Sequence, residues 1–150
     1  MSLKAELEEI SKNSWGIGIF VSWGIFIVFS LWNMIASFIF TATITGNAGQ
    51  GVISIFAVGS AALYLLTYLI AEKVSYSKEQ LYLVFSLVPL VLLFIMAVVT
   101  GYLVFVILLW PPYTIMLLGS IGIIVCTYFY IKTKEQLPEV KDTIHTEDEI

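Results

Sequence analysis

The chain has 150 residues, of which 59% are apolar and only 12% charged, about half the charged share of an ordinary soluble domain. Eleven acidic residues stand against seven lysines with no arginine, and there is one cysteine, for a net charge of −4. This composition excludes a soluble enzyme, a nucleic-acid binder, a disulfide-stapled secreted module and a disordered chain.

The charges are also unevenly placed: no Asp, Glu, Lys, Arg or His occurs in residues 13–71 or 80–131. Uncharged runs of that length belong in a lipid bilayer. Residues 1–14, ahead of the first span, predict a short amphipathic helix. Ser2 serves as N-cap, and Leu3, Leu7 and Ile10 form a stripe opposite Lys4, Glu8 and Lys12. With three glutamates against two lysines it is not a basic lipid-binding helix, and it is expected on the inner membrane surface or against a partner.

The first span is predicted over 15–44, which is about twice the 7 to 15 apolar residues of a secretion signal and therefore reads as a retained helix. The glycine-rich stretch 45–51, TGNAGQG, predicts a turn, and the second span follows over 52–71. The third covers 81–110. It ends at Trp110-Pro111-Pro112-Tyr113, where neither proline can donate a helical N–H. The fourth covers 113–131, and an acidic tail follows over 132–150, its helix continuing briefly until Pro138. The expected fold class is an all-α integral membrane bundle of four transmembrane helices in one domain, with both termini cytoplasmic.

A helix needs about 20 residues to cross the hydrocarbon core. The first and third spans are longer and call for tilt, a kink or projection beyond the membrane. In the first, residues 34–44 would stand outside or turn back. In the third, Pro89 is expected to kink the helix and free the carbonyl of Phe85, with Ser86 near enough to help satisfy it. The alternation of long and short spans suggests a duplicated hairpin, although no residue match joins the halves.

Orientation follows from the lysines: Lys4 and Lys12, Lys73 and Lys78, and Lys132, Lys134 and Lys141 all fall on one side of a four-span chain, the cytoplasmic side by the positive-inside rule. All the acids fall there too, so the opposite face carries no formal charge. Either partner proteins cover that face, or it meets a strongly acidic medium.

Small residues at three-and-four spacing mark close helix packing in lipid. One stripe is Ser54, Ala57, Ala61, Tyr64 and Tyr68; another is Gly119, Gly122 and Cys126; Gly18 with Ser22, and Ala97 with Gly101, complete the set. Packing within the chain is the leading reading, and docking of another subunit the second. Trp15, Tyr76, Tyr82, Tyr128 and Tyr130 are expected as anchors at the cytoplasmic interface, Trp110 and Tyr113 at the outer one. Tyr64 and Tyr68 could donate to a neighbouring helix or to a lipid or quinone head group, yet no second polar partner is evident and packing is preferred. Asn33 is the most expensive neutral polar group to place in lipid, so a hydrogen bond within the bundle is expected for it, with a head-group contact beside Trp32 as the alternative.

Proton relays and ion-coupled transporters place ionisable residues within the membrane, and this chain has none there. His145, in the tail, is the only histidine, and Cys126 is expected as a packing residue in apolar surroundings. No catalytic, cofactor-binding or metal-binding residue is predicted, and no cofactor. The expected function is a non-catalytic accessory subunit of a larger integral membrane complex, with a respiratory or electron-transport complex in a prokaryotic plasma membrane as the favoured setting. Its partners would be membrane lipids and other integral subunits, not nucleic acid. The alternatives are a small homo-oligomeric channel or facilitator for neutral solutes, with 45–51 as its constriction, and a viral envelope protein.

Overall fold

The computed structural model describes residues 2–41, 48–99 and 111–147. Among the described residues there are six helices and no strand: α1 Leu3–Ser11, α2 Ser14–Thr41, α3 Ala48–Leu65, α4 Thr67–Lys73, α5 Lys78–Val99 and α6 Pro111–Glu147. Three segments, Ser14–Ala36, Lys78–Val98 and Thr114–Gln136, are long and apolar enough to cross a membrane, and the bent pair Val52–Leu65 and Thr67–Lys73 makes a fourth if taken as one span. The chain thus has the make-up of a membrane protein with three to four spans.

The four main helices form a ring in which α2 packs on α3, α3 on α5, α5 on α6 and α6 back on α2. Their inward faces repeat at alternating steps of three and four. On α2 these are Ile19, Trp23, Phe26, Ser30 and Asn33; on α3, Ser54, Ala57, Ala61 and Tyr64; on α5, Tyr82, Ser86, Pro89, Leu93 and Met96; on α6, Met116, Ser120, Ile123, Thr127 and Tyr130, all of them buried. That spacing is the knobs-into-holes seam of a left-handed bundle.

What fills the seam is unusual for a soluble protein. Ser30, Ser54, Ser60, Thr67, Ser86, Ser120 and Thr127 are buried, whereas Val28, Phe56, Phe94 and Leu118 are more than 60% exposed. In water this arrangement would be inverted. In lipid it is the stable one, because the large apolar side chains face a medium as apolar as themselves while small groups let the helices approach.

α2 and α6 approach each other closely. A Cβ on Gly122 would lie 2.6 Å from the Ser22 hydroxyl, one on Gly119 3.4 Å from the Ser22 carbonyl, and one on Gly18 2.8 Å from the Cys126 sulfur. Missing side chains on alternate helices therefore set this interaxial distance. At the corner between α1 and α2, Asn13 Oδ1 accepts from the Trp15 amide at 3.0 Å and caps α2. Gly16 sits against the Ile10 carbonyl there, so closely that any Cβ would collide with it.

Several expectations from the sequence are corrected. The second span is not one straight helix: α3 and α4 meet at Leu66 with a 63° bend. The Thr67 hydroxyl donates to the Leu63 carbonyl at 3.2 Å, the type of back-bonding that competes with the helical ladder and bends helices. α3 also begins at Ala48, inside the stretch read as a turn. Within α5, which includes Pro89, the Ser86 hydroxyl donates to Leu83 at 2.6 Å instead of serving Phe85. α6 continues through Pro138 to 37 residues, carried past the apolar segment by the helix formers of 132–137. Tyr82 and Tyr130, expected as anchors, are buried in the bundle. The expected end of the third span, with Gly101 and Trp110, lies outside the described residues, as do the last residues of the expected first span, 42–44.

Candidate functional site

The charged end of the bundle carries the richest chemistry. Ser2 Oγ accepts from the Ala5 amide at 3.4 Å and starts α1, which folds back from the Gly16 corner to lie across the helices. The stripe of Leu3, Leu7 and Ile10 contains a fourth member, Glu6, three residues after Leu3 and four before Ile10. Ile10 and Glu6 are the buried residues of α1, Glu6 only 2% exposed.

A carboxylate so buried needs partners, since its desolvation costs several kcal/mol. The Lys78 ammonium pairs with Glu6 Oε1, and the Tyr82 hydroxyl donates to the same oxygen at 3.1 Å. Lys78 and Tyr82 stand one turn apart at the start of α5, so both reach one point. A second ion pair, Lys134 to Glu9 at 2.6 Å, ties α1 to α6. The hydrogen bond from Lys134 holds the Glu9 carboxyl below its ordinary 4.5, against a partial desolvation that works the other way. α1 is thus fastened at two points along its length.

Beneath it lies a cleft of about 270 Å³ between α1, α2 and α3, with Tyr82 on its wall. Its polar groups are few: Glu6, Trp23, Tyr64 and Tyr82. The rings pack in series at tilted angles, Trp23 to Tyr64 at 5.2 Å and Tyr64 to Tyr82 at 5.0 Å between centroids. The Tyr64 hydroxyl shares a 2.8 Å hydrogen bond with Thr127 Oγ1 on α6, the polar partner that was not evident in the sequence. Among the described residues, two buried polar atoms here have no partner, Glu6 Oε2 and Trp23 Nε1.

Further along the bundle the polar groups are neutral. The Asn33 amide donates to Ser54 Oγ at 2.9 Å and to Met96 Sδ at 3.7 Å, joining α2, α3 and α5. The buried hydroxyls of Ser60, Ser86 and Ser120 donate to carbonyls three residues earlier on their own helices, at 2.6, 2.6 and 2.8 Å. Ser30 Oγ is buried without a partner. Ser54, Ala57, Ala61, Tyr64 and Tyr68 are all buried. Gly119 and Gly122 face Ser22 and Phe26, and Cys126 faces Gly18. Trp15, still half-exposed, stacks on Phe129 at 4.7 Å.

Among the described residues no group of three His, Cys, Asp or Glu side chains is placed to hold a metal ion. Sequence reasoning missed Glu6, although its place within an apolar stripe was a usable signal. The partners it needed are remote in sequence. The chain matches no protein-family model, and no curated protein and no solved structure is significantly similar to it.

Proposed function

We propose that the chain is a non-catalytic subunit of a larger integral membrane complex, which it serves by holding helices and lipids in place. The observation that carries this reading is how the interior polar groups are used. Asn33 joins three helices, Tyr64 ties α3 to α6, and the hydroxyls of Ser60, Ser86 and Ser120 close on their own backbones. Groups engaged in this way hold a scaffold together. The outward side chains of Val28, Phe56, Phe94 and Leu118 are suited to lipid or to apolar partner helices, and the face opposite the lysines, free of formal charge, suits cover by a partner. The favoured setting is a respiratory or electron-transport complex of a prokaryotic plasma membrane, with both termini in the cytoplasm.

Gentle detergent extraction followed by native electrophoresis and mass spectrometry tests this. Co-migration with haem- or metal-bearing subunits is the expected result. A lone symmetric oligomer would overturn it and favour the facilitator reading, which the buried, unpartnered hydroxyl of Ser30 supports and liposome flux of neutral solutes would measure. Labelling of either terminus by an impermeant reagent from outside would overturn the orientation.

A further inference from the structure

The cleft under α1 combines features that a packed helix end would not. It is walled by aliphatic and aromatic side chains, it holds a carboxylate that is 2% exposed, and one oxygen of that carboxylate has no hydrogen-bond partner. Trp23, also on its wall and 6% exposed, keeps an indole N–H without an acceptor. Buried polar atoms are nearly always satisfied, and each exception asks for an explanation such as an absent bound group.

The chemistry of that group follows from what is already paired. Lys78 balances the charge of Glu6, so an ammonium entering the cleft would bury a net positive charge. An acid would meet Glu6 Oε2 with like charge. A hydroxyl brings no charge, donates to a carboxylate oxygen and can accept from an indole N–H. The aliphatic walls, among them Leu7, Ile19 and Leu65, suit a hydrocarbon chain. We infer that this cleft binds a neutral membrane amphiphile, its hydroxyl on Glu6 Oε2 and its chain along the walls between α2 and α3. This site stands independently of the accessory-subunit reading.

Gly24 makes the test clean. It lines the cleft, and a Cβ built on it meets nothing within 4 Å, so Gly24→Leu adds bulk at the cleft without a clash at its Cβ. The full chain with Trp15, Trp32 and Trp110 replaced by Phe, in phosphatidylcholine nanodiscs, leaves Trp23 as the sole indole emitter. It is titrated with ω-bromo-octanol and with the matched ω-bromo-octylamine, ω-bromo-octanoate and bromo-octane. Saturable quenching is expected with the alcohol at an apparent Kd about tenfold below that of bromo-octane, the worth of one hydrogen bond to a charged acceptor. Gly24→Leu should abolish saturation with an unchanged circular dichroism spectrum. If the triple replacement fails to fold, the difference between wild type and Trp23→Phe reports the same signal. Equal quenching by all four probes, tightest binding of the amine, or saturation that survives Gly24→Leu overturns the inference.

Discussion

The two polar regions of the bundle solve one problem in opposite ways. Under α1 the polarity is ionic: a nearly inaccessible carboxylate, a lysine and a tyrosine hydroxyl meet at one oxygen. At the level of Asn33 it is neutral: an amide, a hydroxyl and a thioether join three helices with no charge at all. An ion buried in a low-dielectric site gains from a partner only if the geometry is good, and it is strongly destabilising once the partner is lost. A neutral amide risks and gains much less. The charged cluster therefore fastens a helix that contributes little apolar area of its own, whereas the neutral layer only sets register among helices that lipid already confines.

The largest effect that separates the regions is expected from Lys78→Met, which leaves Glu6 buried without its cation. A loss of about 3 kcal/mol is expected, read as early unfolding in detergent and as release of α1 to limited protease digestion. Combining it with Glu6→Leu should restore most of the stability, because a buried ion pair replaced by apolar groups of similar size is often neutral or better. If the double variant is as unstable as the single one, the cluster is not held as an ion pair.

Gly122→Leu strikes between the two regions, at the α2–α6 seam, where even a Cβ would lie 2.6 Å from Ser22 Oγ. Overpacking of this kind costs about 1 to 3 kcal/mol and should lower the unfolding midpoint without releasing α1 selectively. Indifference to the change would place the stripe against lipid. In the neutral layer, Asn33→Leu should cost about 1 kcal/mol, near the upper end of measured hydrogen bonds within membranes. A loss as large as that for Lys78→Met would erase the distinction between the two regions.

The neutral half of this contrast was more legible in the sequence than the ionic half. Ser54, Ala57, Ala61 and Tyr64 fall on one face of any helix they form, so their spacing alone groups them. Asn33 needed a partner wherever it lay in lipid. Glu6, by contrast, is defined by Lys78 and by Tyr82, the latter 76 positions away. Tyr64 likewise meets Thr127 across 63 positions. The bend at Leu66 carries no Gly or Pro; the Thr67 hydroxyl bonds back to Leu63 there, but Thr133 does the same to Phe129 within unbroken α6, so residue identity does not announce the bend. The apolar helices were readable because lipid constrains composition, while the site was hidden because folding chooses among remote polar partners.

The smallest effect belongs to the other fastening of α1. Glu9 and Lys134 are each more than a third exposed, so their pairing is worth at most about 1 kcal/mol after screening. Because Lys134 holds the Glu9 carboxyl below its ordinary 4.5 in the folded chain, the unfolded chain binds more protons there in the acid range. The contribution is therefore present above that ordinary value and lost as pH falls through the lower, folded one. Comparing the unfolding midpoints of wild type and Glu9→Gln from neutral pH into acid isolates it. The wild-type advantage should shrink below the ordinary carboxylate value, and high salt should reduce it at neutral pH. An advantage constant across the acid range would mean that Glu9 adds nothing ionic, and that Glu6 alone holds α1 against the bundle.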